Sequence, residues 1–248
     1  MIEEPYRWVE AIANRREYVE SQLAGGSPVV AVSFTEGILF VTVGASRQKV
    51  FEIYDRIAMG AIGHPGDIER LRMAAIELAS TEGFTRSAAD VSLRRLAYYS
   101  LSPALKSAFE QIYGAPYLAR MLFAEVGDTP SDDLFLRVEY DGAIAGERIS
   151  YGLLAGNNAA DEAMQKCVTA PLETALDLRQ AMQTALIAWS AGDLANNDPS
   201  PKDDNAIRQH LESRLLAGEV EAALLERNSR SAIAFRSIDT AEARAMLS

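Results

Sequence analysis

The side chains that most often carry out chemistry are few and scattered in this 248-residue sequence. Its one cysteine, Cys167, cannot form an internal disulfide or complete a two-cysteine metal site, and we expect it to be a packed small side chain. His64 and His210 lack metal-ligand spacing, and we expect His64 to be a structural or exposed residue at a helix start. The carboxylate pairs Asp132–Asp133 and Asp203–Asp204 fall in segments expected to be solvated turns. With no phosphate-binding or dinucleotide-binding fingerprint, the sequence predicts neither a metal nor a cofactor.

Lys49 is the remaining charged candidate, because it comes directly before Val50–Tyr54, a run of alternating character that predicts a strand. On the residues alone, the simplest interpretation is a solvated lysine at a strand edge. Two further strands precede it. Val29–Phe34 is an apolar run, Thr35–Gly37 is a compact turn with Gly37 as the residue expected at positive φ, and a partner strand over residues 38–43 runs back.

The rest of the chain divides into blocks of helices and blocks of strands. Helices are predicted over residues 8–23, 67–80 (ending at Gly83), 90–113 (kinked near Pro103), 159–167, 171–191, 207–216 and 241–247. Further strands are predicted over residues 118–126, 134–140, 144–154, 220–225 and 233–235, with turns at Asp141–Gly142 and around residues 228–230. Strands and helices do not alternate singly, which argues against a parallel doubly wound sheet. Two antiparallel sheets with helical layers outside, an α+β fold, agree better with this order.

Composition and charge narrow the class of protein. A chain that is 48% hydrophobic can bury a substantial core as a single domain, which we expect to span residues 1–248. The net charge of −11 argues against a nucleic-acid surface, which needs a basic stripe. No apolar run reaches the length of a membrane span, and the charged amino terminus has no signal-peptide core. These features predict a cytoplasmic protein that binds neither nucleic acid nor membrane.

Several stretches, in order, resemble the proteasome core-particle family, and the bacterial α-type subunits in particular. They include the hairpin with a Gly37 turn, Lys49 before the third strand, and Tyr54–Gly63 after it. Pro116–Tyr117 before the strand Leu122–Gly127, and Arg137–Gly142 later, continue the likeness, which extends from about Trp8 to Ile238. The resemblance implies a four-layer αββα sandwich formed by residues 27–248, preceded by a tail and helix in residues 1–26.

The resemblance also indicates where catalysis would have to occur. The related β-type subunits are N-terminal nucleophile hydrolases, in which a threonine freed after a glycine attacks the peptide bond. Here Gly26 precedes Ser27, but Pro28 follows it, and Val43 falls near the place of the family's acid. Because valine cannot orient a proton, the sequence predicts a non-catalytic chain, with Gly26–Ser27 as the joint between helix and strand. The alternative is a self-compartmentalising homomeric hydrolase that uses Ser27.

The resemblance gives other residues a role in assembly. Pro5, Tyr6, Trp8 and Ile12 would lie at the ring interface and gate, and the four residues before Pro5 predict loose gating. Lys49 would pair with the C-terminal carboxylate of an ATPase or other activator tail. The expected partners are further copies in a ring, expected to be heptameric, β-type subunits, activators and protein substrates in transit. A ring-forming scaffold without a protease partner is the third possibility.

Overall fold

The computed structural model describes residues 4–44, 47–111, 113–148, 150–168, 176–229 and 233–246. Within these residues the chain forms two five-stranded antiparallel sheets packed face to face, with helices on both outer faces. This is the α+β, four-layer αββα sandwich that the element order and the resemblance predict.

The first sheet has the strand order β10-β9-β2-β1-β8. Its strands are β1 (Val29–Phe34), β2 (Gly37–Gly44), β8 (Tyr151–Leu154), β9 (Glu219–Glu226) and β10 (Phe235–Ile238). The second sheet has the order β3-β4-β5-β6-β7. Its strands are β3 (Val50–Tyr54), β4 (Ile57–Gly63), β5 (Ala119–Glu125), β6 (Leu134–Val138) and β7 (Ile144–Arg148).

The helices of the described residues form the outer layers and one amino-terminal arm. They are α1 (Glu4–Leu23), α2 (Pro65–Thr85), α3 (Leu93–Arg95), α4 (Ser102–Glu110), α5 (Asn158–Val168), α6 (Leu178–Asn197), α7 (Asp204–Ala217) and α8 (Thr240–Ala245). A π-helical stretch, Leu96–Leu101, joins α3 to α4, and Pro103 lies in the first turn of α4. The predicted change in helix geometry near Pro103 is therefore confirmed.

The alternation of β1 explains its uninterrupted apolar sequence. Val30 and Val32 face the core shared with α5 and α6, whereas Val29 and Ala31 face the core between the two sheets. A strand buried on both faces has no place for polar side chains. At the β1–β2 turn, Gly37 has φ +158°, and a Cβ there would lie 2.0 Å from the Leu225 carbonyl oxygen. Glycine is needed at Gly37 mainly because β9 passes so close.

Three strand predictions differ from the structure. Residues 57–63 form β4, which was not recognised as a strand, and residues 144–154 form two strands rather than one. β7 pairs with β6 in the second sheet, whereas β8 pairs with β1 in the first. The chain therefore crosses from one sheet to the other within a run that looks continuous in sequence. The last predicted strand, over residues 233–235, lies instead at Phe235–Ile238.

Several helix boundaries also differ from prediction. α2 continues through Gly83, which was expected to end it. A Cβ on Gly83 would lie 2.1 Å from the Tyr54 hydroxyl oxygen, so this glycine makes room for a side chain of β3. The helix predicted from residue 171 has its described start at Leu178, capped by Asp177, while residues 171–175 lie outside the described residues. Residues 1–3 of the four-residue tail before Pro5, and Arg230 of the predicted turn, also lie outside the described residues.

Asp133 is buried, contrary to the prediction of a solvated turn carboxylate. Its side chain has no exposed surface, and it pairs with Arg227 at 2.7 Å and 2.9 Å. The Ser33 hydroxyl donates to the same carboxylate at 2.6 Å, and the Gly127 N–H donates at 2.8 Å. Ser33 lies in β1 and Arg227 directly follows β9, both strands of the first sheet, whereas Asp133 directly precedes β6 of the second sheet. This network therefore joins the two sheets at one end.

The carboxyl-terminal half of α1 is anchored to the sandwich. Val19 and Leu23 are buried in the core between the sheets. The Glu20 carboxylate accepts hydrogen bonds from Arg120 at 3.1 Å and from the Tyr140 hydroxyl at 2.7 Å. Burial, with the Glu20 charge beside it, raises the pKa of the Tyr140 hydroxyl well above its usual range. These contacts hold the helix against the body of the protein.

Candidate functional site

Lys49 lies at the entrance to β3, where the end of the first sheet meets the second. Its ammonium donates a hydrogen bond to the Ser27 carbonyl oxygen at 3.1 Å. The backbone N–H groups of Lys49 and Val50 donate to the Glu221 carboxylate, at 2.9 Å and 2.8 Å. We call Ser27, Val43, Lys49 and Glu221 the Lys49 cluster. Lys49 is therefore a half-buried, internally bonded residue and not a solvated strand-edge lysine.

The charges around Lys49 oppose one another. Burial lowers the pKa of the Lys49 ammonium, while the Glu221 and Asp193 carboxylates favour its charged form and the Arg214 guanidinium disfavours it. Burial raises the pKa of Glu221, against the effect of the two N–H donors and of Lys49. Charges of both signs therefore act on the Lys49 ammonium in a partly desolvated place, where they are screened weakly.

Ser27 is held inside the chain as a joint, as predicted. Its hydroxyl donates to the Val43 carbonyl oxygen at 3.1 Å. The Gly26 carbonyl accepts from the Asn196 side chain at 3.0 Å, and the Gly26 N–H donates to the Leu23 carbonyl at 2.8 Å. Val43 is buried in the core beside α6 and offers only its backbone. The hydroxyl thus has a carbonyl partner where a nucleophile would need a base.

α7 lies beside the Lys49 cluster. Its His210 Nε2 lies 2.9 Å from the Asp193 carboxylate of α6, and its Arg214 Nε lies 3.2 Å from the same oxygen. The helix ends at Gly218, where a Cβ would lie 3.5 Å from Val43 Cγ1. Sequence reasoning missed Asp193, Arg214 and Glu221. The only available signal was Asp193, the one charged side chain among the buried residues of α6.

The predicted ring and gate residues belong to the first turns of α1. Trp8 is 39% exposed, and Ile12 is half-buried against the core between the sheets. Pro5 and Tyr6 lie within the helix, but their side chains are outside what the structure describes. The apolar face of α1 is therefore buried at its carboxyl-terminal end and partly open at Trp8.

The other reactive side chains have ordinary structural roles. His64 is exposed and caps α2, accepting from the Gly66 N–H at 3.2 Å, as predicted. Cys167 is half-buried, and burial with the nearby Asp204 raises the pKa of its thiol. Among the described residues, no group of three or more His, Cys, Asp or Glu side chains could hold a metal ion. Every helix in the described part of the chain is too short or too polar to span a membrane.

The chain thus has an αββα sandwich, with Ser27 before β1 and Lys49 directly before β3. The sequence model of the family described as proteasome subunit matches residues 24–199. The chain therefore belongs to the proteasome subunit family.

Within this family, the chain is similar to bacterial α-type subunits. It is 32% identical to the proteasome subunit alpha of Parafrankia sp., over 88% of this chain and 84% of that protein. It is 34% identical to the proteasome subunit alpha of Actinosynnema mirum, over 92% and 80% respectively. The corresponding values for the protein of that name from Kineococcus radiotolerans are 30%, 87% and 94%.

Proposed function

We propose that this chain is a non-catalytic α-type subunit that forms the outer ring of a bacterial 20S proteasome. In this role the ring controls the passage of protein substrates into a chamber of β-type threonine protease subunits and docks an ATPase or other activator. The observation that carries the proposal is the similarity to proteins named proteasome subunit alpha over at least 87% of the chain.

The contacts of Ser27 support the absence of catalysis. An N-terminal nucleophile needs a free amine, yet the Ser27 backbone follows Gly26 in a joint that is held on both sides. The Ser27 hydroxyl is directed to the Val43 carbonyl, and no carboxylate is supplied at Val43. Lys49 donates to the Ser27 carbonyl, and the Glu221 carboxylate accepts from the backbone N–H groups of Lys49 and Val50, so both side chains bind backbone groups here.

We expect the purified chain to hydrolyse no fluorogenic peptide, and Ser27→Ala to change nothing. Co-expression with the β-type subunit of the same organism should give a complex that is active with either form of this chain. Intact mass serves as the control, since retention of the segment before Ser27 excludes a free Ser27 amine. Peptidase activity of the chain alone that disappears in Ser27→Ala would establish the homomeric hydrolase instead. Failure to form any complex with the β-type subunit would favour the scaffold.

The open end of α1 is the proposed ring contact. Trp8 and Val9 are 39% and 66% exposed on a helix whose other end is firmly packed, so this end has apolar surface available for a neighbouring copy. Deleting the whole of α1 would also remove the ion pair between Glu20 and Arg120 and so disturb the fold. A single substitution at Trp8 separates ring assembly from folding.

Trp8→Glu is expected to weaken the ring by roughly 2 kcal/mol per contact while changing the stability of a protomer by less than about 0.5 kcal/mol. Native mass spectrometry across a dilution series would measure the ring population. Gln22→Glu is the matched control, because it adds the same charge at an exposed position of the same helix. Equal ring populations for Trp8→Glu, Gln22→Glu and the unchanged chain would remove Trp8 from the interface.

Lys49 is the proposed receptor for the terminal carboxylate of an activator tail. The Lys49 ammonium already donates to a backbone carbonyl oxygen. On binding a carboxylate, the ammonium would replace this neutral acceptor with a charged one. Hydrogen bonds to charged partners contribute about 1.5–3 kcal/mol net, which is weak for one tail. Several tails on one ring raise the overall affinity through their effective concentration.

A further inference from the structure

α1 crosses one end of the second sheet, from the middle of the sheet toward its β6–β7 side. The joint after the helix lies beside β4, since a Cβ on Gly26 would be 2.1 Å from Ile62 Cγ2. Nearer the amino terminus, Arg16 pairs at 2.9 Å with Asp141, in the turn that joins β6 to β7. Trp8 lies eight residues further out, about 12 Å along the axis of an α-helix. The exposed start of α1 therefore lies on the β6–β7 side of the protomer.

An open groove of about 510 Å³ lies on the opposite side of the same sheet, along the edge strand β3. Its lining includes the exposed side chain of Gln48 and the half-buried side chains of Phe51, Glu52, Ile76 and Phe235, and we call it the β3 groove. Phe235 belongs to β10, which is the edge strand of the first sheet. The groove therefore lies where an open edge of each sheet is exposed to a neighbouring molecule.

The apolar surface of the β3 groove is mainly aromatic, from Phe51 and Phe235. On the α2 side, the Arg72 guanidinium lies over the Phe51 ring, 5.6 Å from the ring centroid. It also donates to both oxygens of the Glu69 carboxylate, at 2.8 Å and 2.7 Å. The two charges of the α2 wall thus pair with each other. Because aromatic rings stack favourably on one another, a further ring is the side chain that this surface best accommodates.

The β3 groove also contains hydrogen-bond acceptors. Glu52 has neither a hydrogen bond nor an ion pair with any residue that the structure describes. Burial raises the pKa of its carboxyl, and the nearby Asp55 adds to this effect. The Gln48 side-chain nitrogen donates to the Val50 carbonyl oxygen at 2.9 Å, which holds the amide in the groove. A half-buried carboxylate without a donor gains free energy when a partner supplies one.

We propose that the β3 groove receives Trp8 from a neighbouring copy of this chain. Tryptophan combines a large aromatic ring with one N–H donor, which match the aromatic surface and the Glu52 acceptor of the groove. Since Trp8 and the groove lie on opposite sides of a protomer, the contact is head to tail, the type of interface that can close into a ring. The inference rests on the proposed ring function, to which it adds the receiving surface.

Cross-linking tests whether the start of α1 and the β3 groove of different copies meet. Cys167, the only cysteine, is replaced by alanine in the full chain, which then receives Val9→Cys, Gln48→Cys or both. These positions are exposed and leave Trp8 and Glu52 unchanged. A short bifunctional maleimide is added to assembled rings. We expect a ladder of linked protomers in denaturing gel electrophoresis from the double variant and only monomers from each single variant.

The matched control for cross-linking combines Val9→Cys with Arg208→Cys, at an exposed position of α7, and should give no ladder. If rings form but the pair of positions 9 and 48 gives no ladder, the β3 groove does not receive α1, and the ring function stands. A ladder or a dimer from either single variant would show that like surfaces meet and would overturn the head-to-tail contact.

Glu52→Lys places a cation where the indole N–H is expected to donate. We expect it to raise the protomer concentration at which rings dissociate by about tenfold or more, measured by native mass spectrometry across a dilution series. Trp8→Phe keeps an aromatic ring but loses the donor, and its effect should be smaller. Glu77→Lys is the matched control, because it makes the same charge change at an exposed position of α2 and should assemble normally.

Thermal unfolding identifies a variant that fails to fold, and Gln48→Arg, at an exposed position of the same groove, then replaces Glu52→Lys. Equal losses for Glu52→Lys and Glu77→Lys would show a general charge effect and would overturn the inference. A chain that forms no ring at any concentration, alone or with the β-type subunit, would overturn the ring function itself, and the inference would fall with it.

Discussion

Asp133→Ala is expected to lower the free energy of unfolding by about 3–5 kcal/mol, because it would leave the Arg227 guanidinium buried without its counter-ion. The Arg227 side chain is only 4% exposed. It donates to both Asp133 oxygens and to the Gly127 and Phe34 carbonyls. The Ser33 hydroxyl would also lose its acceptor.

Urea unfolding followed by circular dichroism, at one fixed protein concentration, measures this effect. Asp128→Ala is the matched control, since Asp128 pairs with Arg56 at 3.0 Å but its side chain is 89% exposed. Exposed pairs contribute about 0–1 kcal/mol, so the control should change little. If both variants lost the same small amount, the Asp133–Arg227 pair would not be the clamp between the sheets that its burial indicates.

Lys49→Ala is expected to abolish measurable binding of assembled rings to a carboxylate peptide surface, while the rings themselves persist. This surface carries a short peptide that is immobilised through its amino terminus and has a free C-terminal carboxylate, and binding is measured by surface plasmon resonance. Each protomer would lose its charged partner for one tail, about 1.5–3 kcal/mol, and these losses accumulate over every tail bound to the ring. The remaining carboxylates, Glu221 and Asp193, would then repel the ligand. Lys49→Arg is not expected to restore binding, because a planar fork replaces a compact ammonium in a half-buried place.

The free energy of unfolding of Lys49→Ala is the control that separates a loss of binding from a loss of folding. The internal bond to the Ser27 carbonyl predicts a loss of about 1 kcal/mol in the free energy of unfolding, more than a solvated lysine would contribute. Raising the salt concentration should weaken binding of the unchanged chain. A Lys49→Ala ring that binds the carboxylate surface with unchanged affinity would leave Lys49 with a structural role alone, as the support of the Ser27 joint.

The sequence by itself determined the elements that have a strong local pattern. The apolar run of β1 and the Thr35–Gly37 turn predict the first hairpin, and Asp141–Gly142 predicts the turn that follows β6. The helical pattern over residues 171–191 predicts the helix that is described from Leu178 as α6. The block order of strands and helices then predicts the antiparallel α+β class. These features depend on neighbouring residues, whose conformational preferences act whatever the rest of the chain does.

Only the tertiary structure decided the features that depend on distant residues. β4 has a glycine at its centre, because a Cβ on Gly60 would lie 2.7 Å from Val29 Cγ1 of the opposite sheet. Asp133 is buried because Arg227, 94 positions away, pairs with it.

The Lys49 cluster likewise forms between separate elements, since Glu221 lies 172 positions beyond Lys49 in sequence. β9 pairs with β2, with Glu221 opposite Thr42, and this pairing brings its carboxylate to the start of β3. Periodicity and spacing describe which face of an element is buried. They do not describe which element will pack against that face, and the charges that decide what Lys49 can bind come from those partners.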